Sequence, residues 1–288
     1  MADTAVADVV PGSRRRRITP GAAIVYFAAL CCALLWLVPL LWAVATSVKP
    51  ESETTLVPIR WLSETPTVKA YREVLAIGDV PRWILNSAIT STIVTVLTLV
   101  LCALAAYGFS RCRFPGRRWL FAAIIAGILI PPQVLIVPLF AQMSTLGLVD
   151  TYWGIALPQV VVPVMVFILK RFFDAIPRDY EEAARIDGAG HLRVLWSVIV
   201  PLSRPILSAV GIFTFVGSWN NFLWPFIVTT DPSIMTLPVG LGVVQSTYGI
   251  AYAQNMASAV ISALPLLLVF MIFQKQIVTG IAGAGIKG

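Results

Sequence analysis

The side chains with most scope for chemistry lie in residues 179–205, DYEEAARIDGAGHLRVLWSVIVPLSRP, the longest polar interruption in the apolar C-terminal two-thirds of the chain. Glu181, Glu182, Ala183, Ala184, Arg185 and Ile186 are helix-compatible, Asp187, Gly188, Ala189 and Gly190 supply a stop and a restart, and a second helix from His191 to Val200 ends against Pro201 and Pro205. Paired carboxylates at the start of the first helix suit its dipole. His191 is the sole histidine and has no cysteine, second histidine or catalytic carboxylate pair beside it, so the stretch reads as a surface for contact rather than for bond-breaking. Ala183, Ala184 and Gly188 leave room for another backbone, and Leu192, Leu195, Trp196 and Ile199 recur at helical spacing as one apolar face. An amphipathic connector between spans would share much of this pattern.

A second set of polar groups is uncharged: Asn86, Gln133, Gln159, Asn220, Asn221, Gln254 and Asn255 lie within or beside apolar runs. Amides exchange hydrogen bonds with hydroxyls, and the faces of Trp219 and Trp224 suit the apolar side of a sugar ring. On that chemistry Asn86, Trp219, Asn220, Asn221 and Gln254 are candidate solute-path residues. Amides also hold helices together in a membrane, which is their alternative role. No G-x-x-x-x-G-K-[ST] sequence occurs, so the chain has no phosphate-cradling loop of its own.

The elements that must carry these residues are set by composition. The chain has 288 residues, of which 58% are hydrophobic and 12% charged, and its mean hydropathy is +0.85. That excludes a water-soluble domain and requires an integral membrane protein. The net charge of +7 is not interleaved with aromatic residues on one face, which argues against nucleic acid as a partner. Cys31, Cys32, Cys102 and Cys112 have neither disulfide-framework nor metal-site spacing.

Apolar runs predict an all-α protein with six transmembrane helices at about 22–46, 83–109, 119–142, 152–170, 206–229 and 253–273. Residues 1–20 form an N-terminal tail, 21–288 the transmembrane domain, and 171–205 a loop between spans four and five. The first apolar region is too long for a signal peptide and reads as an uncleaved anchor. Residues 49–82, with four prolines and a short helical piece near Tyr71, form a loop able to reach a partner outside the membrane. Residues 232–250 read as a loop dipping toward the membrane. Prolines 131, 132, 138, 158 and 163 free carbonyls within the third and fourth spans, which is tolerable only against protein or water.

With six spans and both termini cytoplasmic, the inner segments hold 16 of the 21 basic residues, including Arg14 to Arg17 before the first span. Trp42, Trp83, Trp119, Tyr152 and Trp153 fall at span ends, where amphipathic rings favour the interface with lipid headgroups. No ionisable residue sits mid-span, unlike the usual proton- or ion-coupled carrier.

Glu182, Ala183 and Ala184, then three residues, Gly188, nine residues, and Val198-Ile199-Val200-Pro201 resemble the EAA loop of ABC-transporter permeases. Val198 and Val200 stand where the pattern has Ile and Leu, and both remain apolar. The longer string with Pro201 and Pro205 is similar to the carbohydrate-uptake, maltose-permease-like branch, and Trp219 to Pro225 resembles that branch's fifth span. The resemblance implies a permease subunit of a binding-protein-dependent importer for a mono-, di- or oligosaccharide in a bacterial or archaeal cytoplasmic membrane. It implies a second homologous permease, an ATPase dimer, an extracytoplasmic solute-binding protein and membrane lipid as partners. ATP and Mg would be held by the ATPase, with no cofactor in this chain. Glu181, Glu182, Ala183, Ala184, Asp187, Gly188, Ala189, Leu195, Trp196 and Pro201 become the candidate ATPase-coupling residues, with Leu195 and Trp196 filling a hydrophobic cleft. The other readings are a permease for a polyol, glycerol phosphate or osmolyte, and an integral-membrane enzyme with its own catalytic cluster.

Overall fold

The computed structural model describes residues 20–248 and 251–285. The arginine run 14–17, Gly249 and Lys287 lie outside the described residues. Every regular element among them is helical: α1 (Pro20–Ser47), α2 (Glu51–Thr54), α3 (Lys69–Ile77), α4 (Val80–Arg111), α5 (Arg117–Ala126), α6 (Ile136–Thr145), α7 (Tyr152–Val160), α8 (Pro163–Ala175), α9 (Asp179–Ile186), α10 (His191–Val194), α11 (Val200–Leu202), α12 (Arg204–Trp219), α13 (Leu223–Val228), α14 (Leu237–Tyr248) and α15 (Tyr252–Gly285). A π-helical turn, Leu195–Ile199, joins α10 to α11.

Among the described residues three helices are long and apolar enough to cross a membrane unbroken: Gly21–Ser47, Val80–Arg111 and Tyr252–Gln274. The expected third span is instead two segments, Arg117–Leu129 and Pro132–Thr145, meeting at 97°. The fourth is Tyr152–Val160 and Pro163–Ala175, meeting at 50°. The fifth is α12, which stops at Trp219 and resumes as α13 after a break at Asn220 to Phe222. In the third and fourth spans the breaks fall at prolines, whose missing N–H and ring prevent helical continuation.

Apolar surroundings require each freed carbonyl to find a new donor, and the fourth span shows how. Pro158 cannot donate to Gly154, whose carbonyl accepts from the Trp224 indole N–H at 3.1 Å. Beyond it the Val160 carbonyl accepts from Thr98 Oγ1 at 2.8 Å. Thus α4 and α13 satisfy the broken helix between them.

α4 is the central post, packed by α7, α8, α12 and α14. At the end carrying loop 179–205, its Ala106, Tyr107 and Phe109 meet Leu169, Phe173, Leu195 and Ile199 in one buried cluster. At the opposite end Trp83, Trp219, Leu237, Val239 and Ala253 form another. Trp83, expected at the interface with lipid, is the keystone there. Its ring is clamped between Gly78 and Gly240, where an added Cβ would fall 2.3 Å and 2.2 Å from it, and its N–H donates to the Pro232 carbonyl at 2.9 Å. The segment expected as a dipping loop is largely the helix α14, whose Leu237 N–H is capped by Ser87 Oγ at 2.8 Å.

The 49–82 loop is stitched to this same end. The Lys49 ammonium sits 4.7 Å over the Trp42 ring and donates to the Arg60 carbonyl. Glu51 caps α15, accepting from the backbone N–H groups of Tyr252 at 2.7 Å and Ala253 at 3.0 Å. Asp150 joins the α6–α7 turn to the start of the next loop through Thr230 and Asp231. Partial burial acts to raise its pKa, but the Asp231 N–H and the Thr230 hydroxyl and N–H together hold its carboxyl below the ordinary value.

Candidate functional site

Loop 179–205 folds as the two helices and glycine turn expected. Asp179, Glu181 and Glu182 occupy the first turn of α9 and Arg185 the last, matching the dipole at both ends. Gly188 stops the helix with φ at +79°. Around it the Ala189 N–H donates to the Ala184 carbonyl at 3.0 Å and the Gly188 N–H to the Arg185 carbonyl at 3.0 Å, a closure in which glycine avoids the left-handed penalty. The helix from His191 to Leu202 then meets α12 at 84°, with Ser203 fully buried in the bend.

A Cβ on Gly188 would meet nothing within 4 Å, so the cost of substitution there is backbone strain rather than a clash. Gly188→Val is therefore expected to lose most coupled uptake while inserting normally, and Gly188→Asn to retain most of it, because asparagine tolerates the left-handed region. Equal uptake by the two variants, measured in vesicles at matched expression, would refute this account.

The loop is anchored by a charge pair that crosses elements. Arg111 Nε, at the last residue of α4, lies 2.7 Å from Glu181 Oε1, and both side chains are almost fully buried. Arg111 Nη2 also donates to the carbonyls of Phe173 at 2.5 Å and Ile176 at 2.7 Å, at and just past the end of α8. Asp174 accepts from Ser110 Oγ at 2.7 Å and from Lys170 Nζ at 2.6 Å. One guanidinium thus ties α4, α8 and α9 together. Beside it a cavity of about 500 Å³ is lined by Arg113, Arg178, Arg185, Glu182 and His191.

The candidate coupling residues divide. Glu182, Ala183, Asp187, Gly188, Trp196 and Pro201 are exposed. Glu181 is buried against Arg111, and Ala184 and Ala189 pack on the chain's own core. Leu195, expected to fill a partner's cleft with Trp196, is 0% exposed inside that core. The π turn breaks the simple helical register, so Leu195 and Ile199 face inward while Leu192 and Trp196 face outward. Ile186, absent from the candidates, is 88% exposed at the tip of α9. An isolated isoleucine in a polar helix was the available signal. Arg111 was legible only as one of several basic residues closing the second span.

The solute-path candidates are not brought together. Asn86 is fully buried with its amide saturated: Nδ2 donates to the Ser233 and Met235 carbonyls, and Oδ1 accepts from Tyr152 Oη. Trp219 is buried and stacked on Phe215. Gln254 donates to Glu73 at 2.7 Å in the stitched loop. Asn220 is exposed at the end of α12, and Asn221 Nδ2 donates to Gln159 Oε1 at 2.8 Å beside the break in the fourth span.

A family model described as the binding-protein-dependent transport system inner membrane component matches residues 99–283. The sulfoquinovosyl glycerol transport system permease protein SmoH of Agrobacterium fabrum is 34% identical over 265 residues, covering 91% of this chain and 93% of that protein. The arabinooligosaccharides transport system permease protein AraQ of Bacillus subtilis is 34% identical over 260 residues, covering 89% and 92%. The trehalose/maltose transport system permease protein MalG of Thermococcus litoralis is 34% identical over 266 residues, covering 90% and 95%. A solved bacterial ABC transporter involved in importing the acidic polysaccharide alginate shares the fold, with a TM-score of 0.77 at 24% identity, covering 88% of this chain and 94% of that one. An all-helical membrane bundle with an exposed two-helix elbow, matched by the family model over most of its length, places the chain in the family of inner membrane components of binding-protein-dependent transport systems.

Proposed function

We propose that the chain is the permease of an ATP-driven sugar importer, working beside a second homologous permease and above two ATPase subunits that hold ATP and Mg. It lies in a cytoplasmic membrane with both termini and loop 179–205 on the cytoplasmic side, and it receives solute from an extracytoplasmic binding protein. The observation that carries this reading is the mechanical form of the loop: exposed apolar side chains at Ile186 and Trp196 stand on helices whose base is locked to α4 and α8 through Arg111 and Glu181. A push on the exposed face is thereby delivered to the bundle rather than absorbed by a slack connector.

Sugar is favoured as cargo by the relatives, whose names specify sulfoquinovosyl glycerol, arabinooligosaccharides and trehalose or maltose. Asn220, Asn221 and Gln159, amides beside the breaks of two spans, are the groups of this chain best placed to exchange hydrogen bonds with hydroxyls. The test is reconstitution with the cognate ATPase, second permease and binding protein in liposomes, offering labelled mono-, di- and oligosaccharides with and without ATP. ATP-dependent uptake of one sugar is expected. Failure of the chain to assemble with the ATPase, or transport by the chain alone, would refute it.

A further inference from the structure

Away from both the coupling loop and the amides, an apolar groove of about 380 Å³ opens between α4, α12 and α15. Leu99, Leu207, Gly211, Phe215 and Phe273 line it, and Arg204 stands at one end. Its floor is closed by the tight approach of α12 to α4, where a Cβ on Gly211 would lie 3.3 Å from Leu99 Cδ1. Arg204 is exposed in the first turn of α12, and its guanidinium makes no hydrogen bond or ion pair among the described residues. The groove's other polar groups are the hydroxyls of Thr95 and Ser208.

We propose that this groove binds one phospholipid with an anionic headgroup, its phosphate on Arg204 and an acyl chain along α12 toward Phe215. Three features favour this occupant. Arg204 and Phe215 are eleven residues apart on one helix, a rise of roughly 16 Å, which is about half the ~30 Å hydrocarbon core and therefore one leaflet deep. Charge is confined to one end, as in the ligand. The walls beyond Arg204 are apolar, Leu99, Leu207, Phe215 and Phe273 among them, as an acyl chain requires. The choice of the inner leaflet, where anionic lipids create a negative surface potential, rests on the proposed cytoplasmic placement of loop 179–205. Arg204 directly follows the buried Ser203 at the 84° bend, so the lipid sits behind the elbow that links the coupling helices to α12.

The test is native mass spectrometry of the whole transporter after exchange into phosphatidylglycerol or phosphatidylcholine of the same acyl composition. One retained phosphatidylglycerol per copy of this chain is expected, favoured over phosphatidylcholine about tenfold and not displaced by millimolar inorganic phosphate. Arg204→Gln should abolish the headgroup preference, and Ser208→Trp should fill the groove and remove the lipid. Equal retention of the two lipids, displacement by phosphate, or retention unchanged in Arg204→Gln would overturn the proposal. So would a photocrosslinker at Ser208 that captures the second permease instead of lipid. The mass count uses neither sugar nor ATP, so an error in the proposed cargo would leave it unaffected, while labelling of loop 179–205 in intact cells tests the leaflet separately.

Discussion

Replacing Glu181 by alanine is expected to abolish coupled uptake while leaving the subunit in the membrane. The substitution strands the Arg111 guanidinium in a site where both side chains are almost fully buried, leaving it only the Phe173 and Ile176 carbonyls. Breaking a buried pair from one side costs about 3–5 kcal/mol. That energy is drawn locally from the hold of α9 on α4, because insertion depends on the apolar spans and not on this contact. Glu181→Gln keeps the shape and one hydrogen-bonding oxygen, so an intermediate loss is expected. Arg111→Met should be at least as damaging as Glu181→Ala, since it also strips the donor from two carbonyls at the end of α8. The measurements are uptake in vesicles and proteolysis of loop 179–205. Wild-type uptake and wild-type protease resistance in Glu181→Ala would remove the anchor from the mechanism.

The different fates of Glu181 and Glu182 mark the limit of what the sequence discloses. Adjacent carboxylates in a helical first turn are equivalent to the dipole, and only the distant Arg111 decides which one turns inward. The helix–turn–helix itself was legible, because Gly188 and the prolines act through local backbone sterics. So was the helical, membrane-spanning character, with three unbroken spans among the described residues and up to six if each bent pair is one. So were the breaks at Pro131–Pro132 and Pro163, whereas Pro138 and Pro158 lie inside helices. The bend angles were not, since they depend on remote side chains, such as Thr98 and Trp224, arriving to satisfy freed carbonyls. Asn86 shows a related limit. An asparagine in an apolar run signals that its amide must be satisfied, not by what, and Asn86 is satisfied entirely within the protein. Helix 191–202 posed a further difficulty: it is apolar toward its own core and apolar toward solvent, so periodicity alone could not divide Leu195 from Trp196.

That division sets the second large effect. Ile186→Asp is expected to leave insertion and the loop's protease resistance unchanged, yet to release the ATPase subunits during purification and eliminate uptake. At 88% exposed, Ile186 contributes almost nothing to the chain's own packing. Its burial in a partner would be worth about 1.5–3 kcal/mol, or roughly a ten- to hundredfold change in affinity before the desolvation of the new carboxylate is added. Trp196→Ala should act the same way more weakly, since half of that ring already rests on its own chain. Leu195→Ala must behave differently. It opens a cavity among Phe173, Val194 and Ile199 and should cost about 2–5 kcal/mol of loop stability, seen as faster proteolysis before any partner is added. If Ile186→Asp instead retained the ATPase and transported normally, the tip of α9 would not be the docking face. If Leu195→Ala released the ATPase with its loop still protease-resistant, the inward placement of Leu195 would be wrong. The two variants thus separate a surface that receives force from the core that transmits it.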